Sequence, residues 1–141
     1  MSETVEAQGR CLCGAVTVTA QAMPTGVGAC HCGMCRRWGG GPLMVVNCGD
    51  QVVFSGQDHI GIYTSSAWAE RGFCTTCGTH LFYRLKQNNA YFVPVGLFDT
   101  AAALHFDNQV FIDEKPAYYA FANDTGTLTG AEVFALFAGD P

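Results

Sequence analysis

Charge is scarce in this chain. Only 13% of its 141 residues are Asp, Glu, Lys or Arg, and 7 basic residues face 12 acidic ones, for a net charge of -5. There is no Lys/Arg stripe to lie along a phosphate backbone, so no nucleic-acid partner is expected. No apolar run nears the ~18 residues that a membrane helix needs, so no membrane partner is expected. The opening Met-Ser-Glu-Thr-Val-Glu is acidic and lacks an apolar stretch, unlike a signal or transit peptide, and a cytoplasmic location is expected. The 17 glycines follow no Gly-X-Y period, which excludes collagen. Apolar residues make up 49%, enough to exclude disorder over most of the length. The length suits one domain, 1–141, that buries roughly two-thirds of its unfolded surface.

Cysteine, by contrast, is abundant: eight stand at 11, 13, 30, 32, 35, 48, 74 and 77. A disulfide scaffold belongs to short exported chains, and pairing near neighbours such as Cys11 with Cys13 strains bridge geometry. Cys11-x-Cys13, Cys30-x-Cys32, Cys32-x-x-Cys35 and Cys74-x-x-Cys77 have metal-binding spacing, because such a loop wraps backbone around one ion. Zinc is the leading metal; iron–sulfur and a redox role are the alternatives. A structural zinc needs four ligands, and Cys11, Cys13, Cys74 and Cys77 supply them from two distant motifs. Cys30, Cys32 and Cys35 form a second group of three. An open fourth position there is the arrangement of a catalytic zinc. The other readings are closure by Cys48, closure by a His or Asp, and an empty site. Cys48 also fits as a small buried hydrophobe. Two zinc ions per chain are therefore expected, one structural and one catalytic.

The rest reads as short strands separated by turns, a mostly β chain. Strands are expected at Ala15–Gln21, Leu43–Asn47, Gln51–Ser55, Ile60–Thr64, Glu70–Phe73, Gly78–Leu85, Tyr91–Val95 and Gln109–Ile112. Residues 1–8 read as a loose arm, 24–28 as a turn, and 29–35 as the second metal loop. Asp99–Leu104 reads as a helical turn. Thr129 and Glu132 have capping-box spacing ahead of a helix over 133–138.

Several of these pieces occur together in one family. Cys-x-Cys-Gly at 11–14, Cys-His-Cys-x-x-Cys-Arg at 30–36 and Phe-Cys-x-x-Cys-Gly-Thr at 73–79 come in order. With Tyr63-x-Ser65-Ser66, Arg71, Leu81-Phe82 and Gly96-x-x-Asp99, the chain resembles the glutathione-dependent formaldehyde-activating enzyme family, also called Gfa-like or centromere-protein-V-like. The resemblance covers about residues 9–121. It implies a small zinc-stapled domain of short antiparallel sheets, shared in outline with a Rab-exchange-factor-like zinc fold. It implies the same division of thiols. It also implies a carbon–sulfur lyase resembling S-(hydroxymethyl)glutathione synthase, with glutathione as the thiol and formaldehyde as the aldehyde. Tyr118-Tyr119 stands where many members have a lone Trp, and Cys48 is an additional thiol.

The chemistry asks for a thiolate and a polarised carbonyl. Zinc at Cys30, Cys32 and Cys35 serves both needs. Arg36 and Arg37 follow at once, as cations to offset three thiolates or to clamp a substrate carboxylate. His31, between two ligands, is the candidate proton carrier, or else an outward-facing spacer. Gly40, in a run of three glycines, offers backbone N–H groups to an anion, or a plain turn. Ser65 and Ser66 offer hydroxyls to a ligand or cap local backbone. The competing functions are a zinc-stabilised protein-binding module and a thiol redox sensor.

Overall fold

The structure, a computed structural model, describes residues 3–99 and 103–138. In chain order its elements are β1 (Thr4–Arg10), β2 (Thr17–Pro24), β3 (Gly26–Cys30), α1 (Gly33–Gly39), β4 (Leu43–Asn47) and β5 (Val52–Ser55). There follow β6 (Ile60–Thr64), β7 (Ala69–Cys74), β8 (His80–Leu85), β9 (Ala90–Pro94), β10 (His105–Val110), β11 (Gly126–Leu128) and α2 (Gly130–Ala138). The chain is mostly β, as expected, with β4 and β6 falling on the expected residues. It divides into two compact units: Met1–Thr25 with Val45–Leu104, and Gly26–Met44 with His105–Pro141.

The first unit holds the antiparallel sheet β1-β2-β5 and the antiparallel run β9-β8-β7-β6, with Val45–Asn47 of β4 paired to β9. Val16, Val18, Met23, Val46, Leu81 and Val93 are fully buried in it. Each such side chain contributes about 1.5–3 kcal/mol of apolar burial. Phe54 of β5 packs on Phe82 of β8 and Tyr91 of β9, with ring centroids 5.1 and 5.8 Å away. The expected loose arm over 1–8 is instead largely strand β1, paired with β2 from Thr4 to Arg10. Its buried positions are Ala7 and Gly9, whose small side chains give no hydrophobic signal. Gly9 is required there: a Cβ would lie 2.0 Å from the Leu97 carbonyl oxygen.

The second unit runs β11-β10-β3, and both pairings are parallel. This departs from the antiparallel expectation. It also turns the expected turn over 24–28 into the start of a strand. The glycines of β3 make room for the neighbouring strand: a Cβ on Gly26 would lie 2.2 Å from the Asp107 carboxylate, and one on Gly28 2.6 Å from the Asn108 amide oxygen. The expected strand over 109–112 begins earlier, at His105, and a tight helical turn occupies Ile112–Glu114. The expected capping box is present: Glu132 N–H donates to Thr129 Oγ1 at 3.2 Å, and Thr129 N–H donates to Glu132 Oε1 at 2.8 Å. Half of the expected helical turn over 99–104, residues 100–102, lies outside the described residues. No helix among the described residues is long and apolar enough to cross a membrane.

Candidate metal centres

Two tight turns make the first centre. After β1, Cys11 N–H donates to Val16 O at 3.0 Å and Gly14 N–H to Cys11 O at 3.1 Å, closing a loop around the Cys11 and Cys13 thiols. After β7, Cys74 N–H donates to Thr79 O and Gly78 N–H to Cys74 O, both at 2.8 Å. Gly14 and Gly78 take φ of 83° and 78°, the left-handed region that glycine enters without a Cβ penalty. Thr79 ties the two turns together, because its Oγ1 accepts the Leu12 N–H at 3.1 Å.

The four sulfurs of Cys11, Cys13, Cys74 and Cys77 lie within 4.8 Å of one another. Cys13 Sγ is 3.7 Å from Cys11 Sγ and 3.8 Å from Cys74 Sγ. Four sulfurs about 2.3 Å from a central zinc stand about 3.8 Å apart, so this donor set fits zinc. The Thr79 hydroxyl, donating to Cys77, is the main reason that thiol is lowered to about 5. A cleft of about 470 Å³ opens beside this centre, lined by Arg10, Leu12, Thr79, His80, Leu97 and Asp99.

The second centre lies in the other unit. Cys30 ends β3, and the register of β10 sets Val110 opposite it. Cys32 is the N-cap of α1, its sulfur accepting the Cys35 N–H at 3.4 Å. The expected metal loop is thus partly helix. Seven residues with glycine at each end are too short to show a 3.6-residue hydrophobic period, and the helix escapes a sequence reading. Cys30, Cys32 and Cys35 bring their sulfurs within 4.8 Å of one another. The Cys30 thiol, and then the Cys35 thiol, donate to Cys32 and hold it far below the ordinary thiol range. The same contact pushes Cys30 well up. Three sulfurs this close fit a thiolate-binding metal such as zinc. Among the described residues, no fourth Cys, His, Asp or Glu joins the group, and Cys48 is not part of it. Cys48 is buried, and that burial raises its thiol to about 11.

The other expected site residues are placed as follows. His31 is fully buried, so the outward-facing reading fails. Its Nδ1 is 2.7 Å from Tyr119 Oη and its Nε2 2.8 Å from Gln109 Oε1. Arg36 is half-buried, with Nε donating to His31 O at 2.9 Å, whereas Arg37 is exposed. Gly40 has φ of 86°, and its N–H donates to Arg36 O at 2.8 Å, closing the end of α1. That donor is spent on the helix. Ser65 and Ser66 belong to the first unit, in the turn between β6 and β7. Ser66 Oγ accepts the Trp68 N–H at 3.4 Å, a local turn bond, and Ser65 Oγ is buried with no hydrogen-bond partner. Sequence reasoning missed Gln109, Thr125 and Glu114, which accepts the Gly33 N–H at 3.0 Å. No local motif marks these residues: Gln109 reaches His31 through the β3–β10 register, Thr125 bonds Gln109 from just before β11, and Glu114 reaches Gly33 from the turn after β10.

A family model described as glutathione-dependent formaldehyde-activating enzyme matches residues 6–114, a span that contains all seven thiols of the two centres. An uncharacterized lyase of Schizosaccharomyces pombe is 40% identical over 129 residues, covering 91% of this chain and 94% of that protein. A crystal structure of a Rhodobacter sphaeroides protein is similar at a TM-score of 0.57 and 24% identity, covering 66% of this chain and 88% of that one; this likeness concerns the fold alone.

Proposed function

The chain belongs to the glutathione-dependent formaldehyde-activating enzyme family, and from that membership we propose that it is a zinc-dependent carbon–sulfur lyase. Its substrates are a small thiol and an aldehyde, with glutathione and formaldehyde the pair that the family description specifies. The lyase name of the fission-yeast relative supports the same class. One observation carries the reading: four sulfurs gather at one centre but three at the other, with no fourth ligand atom among the described residues. We assign a structural zinc to Cys11, Cys13, Cys74 and Cys77, and a catalytic zinc to Cys30, Cys32 and Cys35. One domain over 1–141 and a cytoplasmic location belong to the same reading.

Cys30, Cys32 and Cys35 would hold the zinc, which when bound would supply a Lewis acid and lower the pKa of a substrate thiol. The remaining roles fall to the chain. In the forward direction the substrate thiolate attacks the carbonyl carbon. The C–S bond forms, the carbonyl π pair moves to oxygen, and the thiol proton ends on that oxygen. The reverse reaction breaks the C–S bond and restores the aldehyde. Arg36, half-buried and tied to His31 O, offsets the negative charge of three thiolates. Exposed Arg37 is proposed to meet a carboxylate of the thiol substrate. Gly40, whose N–H closes the end of α1, takes no part.

Exchange NMR on glutathione and formaldehyde tests the reaction, by comparing the rate at which free and adduct aldehyde interconvert. The wild-type chain should accelerate the exchange, and Cys32→Ser should lower that acceleration about a hundredfold or more while the four-thiol centre keeps its zinc. Full activity in Cys32→Ser would overturn the assignment.

A further inference from the structure

We propose that Tyr119 and Gln109 are positioning residues of the three-thiol centre, acting through His31 to fix Cys30 and Cys32. The proposal rests on reading Cys30, Cys32 and Cys35 as a metal centre, and gives that centre a built support. His31 lies between two of the thiols in sequence, so whatever fixes its ring and backbone fixes both neighbours.

Four hydrogen bonds converge on this residue. On the backbone, His31 N–H donates to Val110 O at 3.1 Å, and His31 O accepts from Arg36 Nε at 2.9 Å. On the ring, Gln109 Oε1 can only accept, so His31 Nε2 carries the proton it receives across 2.8 Å. That leaves a lone pair on Nδ1, and the Tyr119 O–H donates to it across 2.7 Å. These proton positions are assigned from the network. The Gln109 amide is itself held, with Nε2 donating to Thr125 Oγ1 at 2.9 Å.

The loop that brings Tyr119 is also fastened. Lys115 Nζ donates to the carbonyls of Pro116 and Tyr119, and lies 5.3 Å from the Tyr119 ring centroid. Tyr119 and Phe121 flank the imidazole, with centroids 5.5 and 6.0 Å from it. The ring is fully buried and both nitrogens are engaged. It has no open face for a solvent-borne substrate, so the arrangement suits holding a loop in place better than moving a proton. Groups that orient a metal site without touching the metal commonly set its affinity within about 10–100-fold.

Cobalt(II) is the probe, since its thiolate complexes absorb visibly and their release to a chelator can be timed. Wild-type chain, Tyr119→Phe, Gln109→Leu and Gln109→Glu are each loaded, and the two centres are compared within each variant. Tyr119→Phe and Gln109→Leu should release cobalt from the three-thiol centre about tenfold or more faster than wild type and shift its absorption bands. Gln109→Glu keeps an acceptor for Nε2–H and should release it at close to the wild-type rate. The four-thiol centre, whose ligands lie elsewhere in the sequence, should be unchanged throughout. Unchanged release in the first two variants overturns the proposal. So does equal loss from both centres, the sign of a general loosening. A wild-type chain that takes up one cobalt overturns the metal reading as well, which separates the two failures.

Discussion

The Thr79 hydroxyl stands 3.1 Å from the Cys77 sulfur, on the strand side of the second metal turn. The same oxygen accepts the Leu12 N–H across 67 residues of sequence. It both stabilises a thiolate and joins the halves of the four-thiol centre. Thr79→Val should raise Cys77 from about 5 toward its ordinary value and so favour the proton over metal. The expected result is about tenfold weaker metal retention at this centre, measured by chelator competition, with Thr79→Ser close to wild type.

Two glycines of the same backbone class should respond differently to alanine. Gly56 has φ of 89°, and a Cβ there would lie 2.1 Å from the Ala15 carbonyl oxygen. Gly40 has φ of 86° and nothing within 4 Å. Gly40→Ala should cost about 1–2 kcal/mol of conformational strain alone. Gly56→Ala should cost about 3 kcal/mol or more, strain and clash together. Urea unfolding of the zinc-loaded protein measures both.

At α2, Thr129 and Glu132 satisfy each other's backbone N–H. Thr129→Ala should destabilise by about 1 kcal/mol. The double variant with Glu132→Ala should cost less than the sum of the single changes, because the two bonds belong to one motif. A double-mutant cycle in urea gives the coupling.

Burial raises the Cys48 thiol to about 11, above the ordinary range of a thiol. The folded chain therefore holds this proton after the unfolded chain has lost it. Stability should fall as pH rises from about 9 to about 11, since the unfolded state then binds fewer protons. Cys48→Ala should flatten that part of the stability profile. At neutral pH the Cys48 thiol should resist alkylation in the folded protein.

What the sequence made legible follows the range of each signal. The thiol spacings are local, and they separate the four-thiol group from the three-thiol group. The Thr129–Glu132 cap and the β-branched strands are local too. Besides α1 and β11, two elements were missed because their causes lie elsewhere in the chain. β1 hides its buried face in Ala7 and Gly9, and β3 carries glycines that face the Asp107 and Asn108 side chains of β10. The setting of His31 was also out of reach. Its partners Gln109 and Tyr119 stand 78 and 88 residues away, and only the β3–β10 register and the fastened 115–119 loop bring them in.

Zinc content tests the central claim most directly, measured on protein purified without added metal. The wild-type chain should carry two zinc ions and Cys32→Ser one, with the coordination of the wild-type zinc changing when glutathione and formaldehyde are added. One tightly held zinc in both proteins, indifferent to substrate, would contradict a catalytic zinc at Cys30, Cys32 and Cys35.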